Sequence, residues 1–186
     1  MPTLAFRLKQ RPDAHAQLVL VRDDGSSTVG AVGPADGYGP VHDLAHYVAE
    51  RALELSSGFL GLVASGWTID DFEVRGTAQR LPDEAVLAEM VAGELSREEM
   101  TRQRSSAEEF KWGVAAWLAG ARPGYAPAPI AADALDRMRA ELAELRGRWR
   151  AVAPGETLEL RFESAHRSTC PRPERAANDR GHSGRG

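Results

Sequence analysis

Cysteine, lysine and long apolar runs are all scarce in this chain, and each shortage removes a class of protein. Cys170 is the single cysteine among 186 residues, so neither an internal disulfide framework nor a cysteine-based zinc ribbon is available. No run of about 18 uncharged apolar residues occurs, and residues 1–22 lack the basic start, apolar middle and small-residue cleavage site of a secretion signal. The expectation is a cytoplasmic protein with no membrane partner. Lysine is confined to Lys9 and Lys111 beside 21 arginines, a bias that goes with the abundant Ala and Gly and reads as codon usage. Gly58, Gly61 and Gly66 are not followed by G-K-[ST], and G-x-S-x-G is missing. A phosphate-binding P-loop and a serine-hydrolase elbow are thereby set aside.

What remains has the make-up of one domain. The chain is 42% hydrophobic and 27% charged, with four Trp and five Phe spread over the first 162 residues, enough to anchor a packed core. The net charge of −4 divides unevenly. Residues 164–186 hold five Arg and two acids, about +3, which leaves about −7 on the rest. An acidic body argues against a nucleic-acid partner. Beyond Ser164 no apolar period survives, so the sequence predicts a single domain over 1–163 and a disordered basic tail over 164–186.

Within 1–163 the pattern is α+β. Leu4, Phe6 and Leu8 alternate with Arg7 and Lys9, residues 17–22 form a β-branched run, and Asp23-Asp24-Gly25-Ser26 is a hairpin turn leading to a strand over 27–32. Leu158, Leu160 and Phe162 repeat the alternation over 157–163. A small antiparallel or mixed four-stranded sheet follows, packed against three to four helices. Pro40 suits a first helical position, and Val41, Leu44, Ala45, Val48, Ala52 and Leu55 make an apolar stripe over 40–55. Gly58 and Gly61 blur the end of that helix, and Gly66-Trp67 closes the segment. Further helices are predicted over 82–100, 107–118 and 135–152, with Trp112 and Trp117 expected in the core. Leu135, Met138, Leu142, Leu145 and Trp149 form a seam suited to packing inside the chain or, as an alternative, to self-association.

The chemistry-bearing constellation is His42-Asp43-Leu44-Ala45-His46-Tyr47-Val48-Ala49-Glu50, or H-D-x-x-H-x-x-x-E on a helix. Residues four apart on a helix stand one above the other, so His42 and His46 present both imidazoles to one divalent ion such as zinc. Asp43 is a further candidate ligand, with helix-dipole complementation as its plainer role. Glu50 lies two turns beyond His42, about 12 Å along the axis. It is therefore assigned as the general base, or as the carboxylate that orients His46, and the third ligand is sought at Glu89 or Glu94. This predicts a metal-dependent, hydrolytic site. The competing reading is a non-catalytic interaction module, monomer or homodimer, in which the two histidines simply border the core.

The string Gly39-Pro40-Val41-His42-Asp43-Leu44-Ala45-His46-Tyr47, followed by Gly58-Phe59-Leu60-Gly61 and Gly66-Trp67, resembles a family of small uncharacterised bacterial proteins. The resemblance implies the same α+β fold and carries no activity with it. His42-Asp43-x-x-His46 is also similar to the zinc-type motif of the ubiquinone-biosynthesis assembly protein, which adds a Glu after a longer gap. Here that position is Gly58, and the strand-rich start departs from that largely helical family.

Overall fold

The computed structural model describes residues 1–173. The three alternating segments at the start form β1 (Thr3–Gln10), β2 (His15–Arg22) and β3 (Ser27–Pro34), and the fourth forms β4 (Thr157–Glu163). They make one sheet in the order β3-β2-β1-β4, antiparallel throughout. Register sets Leu4 opposite Phe162, Phe6 opposite Leu160 and Leu8 opposite Leu158. One face therefore carries buried Leu and Phe, while Arg7 and Glu159 form an ion pair on the other. At the β2–β3 turn Gly25 adopts φ +81°, as the Asp-Gly signal requires.

Helices cover the apolar face. They are α1 (Tyr38–Ala52), the short α2 (Phe59–Ala64), α3 (Asp83–Thr101), α4 (Ala107–Ala121) and α5 (Ala132–Arg150), with a 3₁₀ turn at Ile69–Glu73 between α2 and α3. Helix α1 sits at the centre and packs on the sheet, α3 and α5. It begins two residues before Pro40 and ends at Ala52, short of the predicted Leu55. Glu54 turns into the left-handed region at φ 53°, and the Leu55 N–H closes back on Glu50 O at 2.9 Å. The glycines past that point do more than blur a helix end, because residues 59–64 form a separate helix.

The α5 seam is covered within the monomer. Leu135, Met138, Leu142, Leu145 and Trp149 are all buried in the main core, and Trp149 donates its indole N–H to Ala35 O at 2.7 Å. A buried ion pair and a half-buried one fasten α5 to the end of α3: Arg139 to Glu98 at 2.8 Å and Arg146 to Glu99 at 2.7 Å. Burial opposes the charge on Glu98, but the Arg139 guanidinium and the Ser105 N–H outweigh it and hold its carboxyl below the usual value. Helix α4 corrects an expectation. It buries a stripe of Phe110, Val114 and Leu118, and at 100° per residue Trp112 lies on the opposite side and Trp117 at the edge. The two tryptophans are 74% and 46% exposed, outside the core that was expected to hold them.

The first part of the predicted tail, residues 164–173, makes polar contacts with the rest of the chain. Ser164 N–H donates to Pro2 O, Ser168 N–H to Ser65 Oγ at 2.8 Å, and the Trp67 indole to Cys170 O at 3.3 Å. Arg172 reaches the fully buried Asp71 at 2.8 Å. Residues 164–173 thus dock through backbone and polar groups, which an apolar period cannot reveal; residues 174–186 lie outside the described part. Truncation after Glu163 is expected to lower the melting temperature by several degrees, since it strips a partner from a buried carboxylate. An unchanged melting temperature in a thermal scan would show that the segment adds nothing. Among the described residues no helix is long and apolar enough to cross a membrane.

Candidate metal centre

The site is assembled from α1, α2 and α3. Helix α1 carries His42 and His46 one turn apart, with their rings edge to face at 4.8 Å between centroids. The apolar contact of α1 with α3 brings Glu89 opposite them. Glu89 Oε1 lies 3.4 Å from His42 Nε2, and Glu89 Oε2 lies 3.1 Å from His46 Nε2. Donors held about 2.0–2.1 Å from a tetrahedral ion are separated by about 3.3 Å, close to both His–Glu spacings, each of which runs to a different Glu89 oxygen. Three donor atoms from His42, His46 and Glu89 lie within 4.8 Å of one another, a group able to hold a metal ion.

The far nitrogen of each imidazole has its own partner. His42 Nδ1 is 3.1 Å from the Tyr38 hydroxyl, and His46 Nδ1 is 3.2 Å from Glu50 Oε1. With Nδ1 of His46 held by the Glu50 carboxylate, Nε2 is the nitrogen turned toward Glu89 and would be the one offered to an ion. Glu50 is itself immobilised. Its oxygens accept the Leu60 N–H at 2.9 Å and the Gly61 N–H at 3.1 Å, filling the N-terminus of α2. Gly58 makes room for it, because a Cβ there would overlap the carboxylate.

Of the two roles open to Glu50, base or orienting carboxylate, its contacts are those of the second. Its side chain has no exposure, is saturated by three donors and sits on the side of the His46 ring away from Glu89. It is the group that orients His46. Glu94 is turned to Arg97 at 2.8 Å and is not among the converging donors. Asp43 does not belong to the convergent trio; it lines the cavity beside it, and its Oδ2 is buried without a hydrogen-bond partner. Tyr38 stands one turn before His42 on α1 but outside the helix predicted from Pro40, so the sequence does not single it out.

Charge is concentrated here. Burial opposes the positive charge on His46, but the flanking carboxylates of Glu50 and Glu89 prevail and push its pKa up to about 10. Hydrogen bonds from His42 and His46 hold Glu89 far below the usual carboxylate range. Burial lifts Asp43 to about 6, against the pull of the two histidines.

The trio opens on a cavity of about 640 Å³, walled by residues of α2, the 3₁₀ turn, α3 and α4. That volume is within the range of small-molecule sites. An aromatic row leads into it: Tyr38 stacks on His42, His46 meets Phe59 at 5.4 Å, and Phe59 meets Phe72 at 5.0 Å. Comparison with known proteins returns no matching family model, no curated relative and no solved structure similar to this chain.

Proposed function

We propose that this protein is a metal-dependent hydrolase in which His42, His46 and Glu89 hold one divalent ion, zinc being the ion that suits two imidazoles and a carboxylate best. The observation that carries the reading is the pairing of each His Nε2 with Glu89 while each Nδ1 is occupied by an orienting group. The Glu89 side chain is 59% exposed, so an ion has access to the trio from solvent. A bound divalent ion supplies acidity to a coordinated water. Asp43, a residue of the cavity lining beside the trio, is the proton acceptor, and its buried Oδ2 has no hydrogen-bond partner. Glu50 and Tyr38 keep the imidazoles in place.

The test uses protein purified without an affinity tag and reconstituted with zinc. One equivalent of bound zinc and zinc-dependent hydrolysis of 4-nitrophenyl acetate are expected. Asp43→Asn should retain the zinc and lower the rate by about 10²–10⁴-fold. Failure to retain stoichiometric zinc, manganese or iron would end the reading, and His46 would then be a core histidine held between two carboxylates.

A further inference from the structure

The cavity in front of the trio contains more information than the trio itself. Its walls are Phe59, Ile69, Phe72, Leu81, Val86 and Trp117, joined by small alanines. Phe59 and Phe72 are in ring contact with each other, and Phe72 continues the row to Trp67 at 5.2 Å. Such walls favour an apolar group and offer flat faces on which a ring can lie.

The devices that proteins use to bind anions are present around this cavity, and each is already occupied. Among the described lining residues the guanidinium is that of Arg122. It is spent on Asp83 at 3.2 Å, Ala121 O at 3.0 Å, Ala78 O at 3.1 Å and Leu81 O at 3.2 Å. The N-terminus of α2, the natural cradle for a phosphate, is filled by Glu50. Helix α3 opens with Asp83 and Glu84, and Glu84 accepts the Ser57 N–H at 2.7 Å. Glu89 would offset part of the charge of a divalent ion at the trio, and Glu73 places a further, exposed negative charge on the lining.

We infer that the cavity takes a neutral acyl substrate, an ester or amide carrying an aryl or branched alkyl group, and rejects phosphoryl and other anionic substrates. The inference rests on the metal-dependent hydrolytic reading for its chemistry and on the cavity walls for its specificity. In the reaction the oxygen of water bonds to the acyl carbon and a proton of that water passes to Asp43. The carbon–oxygen or carbon–nitrogen bond then breaks, and the leaving group takes the proton from Asp43. A carboxylic acid and an alcohol or amine are released.

Binding separates specificity from metal loading. In zinc-loaded protein, benzohydroxamic acid is expected to bind at least about tenfold more tightly than acetohydroxamic acid, because the ring buries apolar area that the methyl group cannot. Phenyl phosphate, with the same ring and two negative charges, should bind no better than inorganic phosphate. Phe72→Asp should erase the ring preference and leave the zinc content unchanged. Equal affinity for the two hydroxamic acids, or tighter binding of phenyl phosphate than of benzohydroxamic acid, would overturn the inference. The metal-free protein gives an independent arm, read through Trp emission, since Trp117 lines the cavity. If the chain retains no zinc yet prefers benzyl alcohol to phenyl phosphate, the metal reading fails and the specificity for neutral apolar groups stands; no preference overturns the specificity as well.

Discussion

Replacing either histidine of the trio by alanine is expected to lower zinc affinity by more than about a hundredfold, since losing a ligand must cost more than the 10–100-fold that follows loss of an orienting partner. The two variants should differ in stability. His46 is buried between Glu50 and Glu89, so His46→Ala leaves a cavity and strips a partner from a fully buried carboxylate, at a cost of about 1–3 kcal/mol. His42 is partly exposed, and its replacement should leave folding nearly intact while still removing the metal. His42→Ala is therefore the sharper experiment: zinc content by elemental analysis should fall to background with the melting temperature of the metal-free protein unchanged. His15, exposed at the start of β2, is the control, and His15→Ala should affect neither quantity. Full zinc retention by His42→Ala would remove His42 from the site.

Gly58→Ala is expected to damage both stability and metal binding, although it adds a single methyl group. Gly58 has φ −70°, which any residue adopts, so the requirement is for space alone. The added Cβ would displace the Glu50 carboxylate. Leu60 and Gly61 would lose their acceptor and His46 its orienting partner in one step. A loss of about 2–4 kcal/mol in denaturant unfolding follows from overpacking and unsatisfied buried donors. Zinc affinity should drop by about 10–100-fold even though no ligand is altered. Wild-type stability in this variant would mean that Glu50 is not lodged at the α2 N-terminus.

Much of the fold was legible because its signals are local. Alternation at Leu4, Phe6 and Leu8 and again at Leu158, Leu160 and Phe162 gave strands facing a common core, and the Asp-Gly turn gave the hairpin. The i, i+4 histidines gave two donors and their approximate direction. The third donor was narrowed to Glu89 or Glu94 and no further, because the choice depends on how α3 is rotated against α1. That rotation is set by contacts between residues some forty positions apart. The sequence leaves the choice between the two roles of Glu50 open for the same reason: its partners Leu60 and Gly61 belong to a helix whose separate existence depends on the turn at Glu54. Trp112 and Trp117 show the limit of composition as a guide, since an amphipathic helix does not say which edge of its stripe will be left bare.

The position of β1 between β2 and β4 has a consequence for biosynthesis. Residues 3–9 must find partners at 157–163, so the sheet cannot be completed until nearly the whole described chain has left the ribosome. Until then one side of the nascent β-meander exposes unpaired backbone groups alongside Leu4, Phe6 and Leu8, the features that drive edge-to-edge association. The interval of greatest danger for this protein is therefore during translation, and its yield should depend more on elongation rate and chaperone supply than on the stability of the finished molecule.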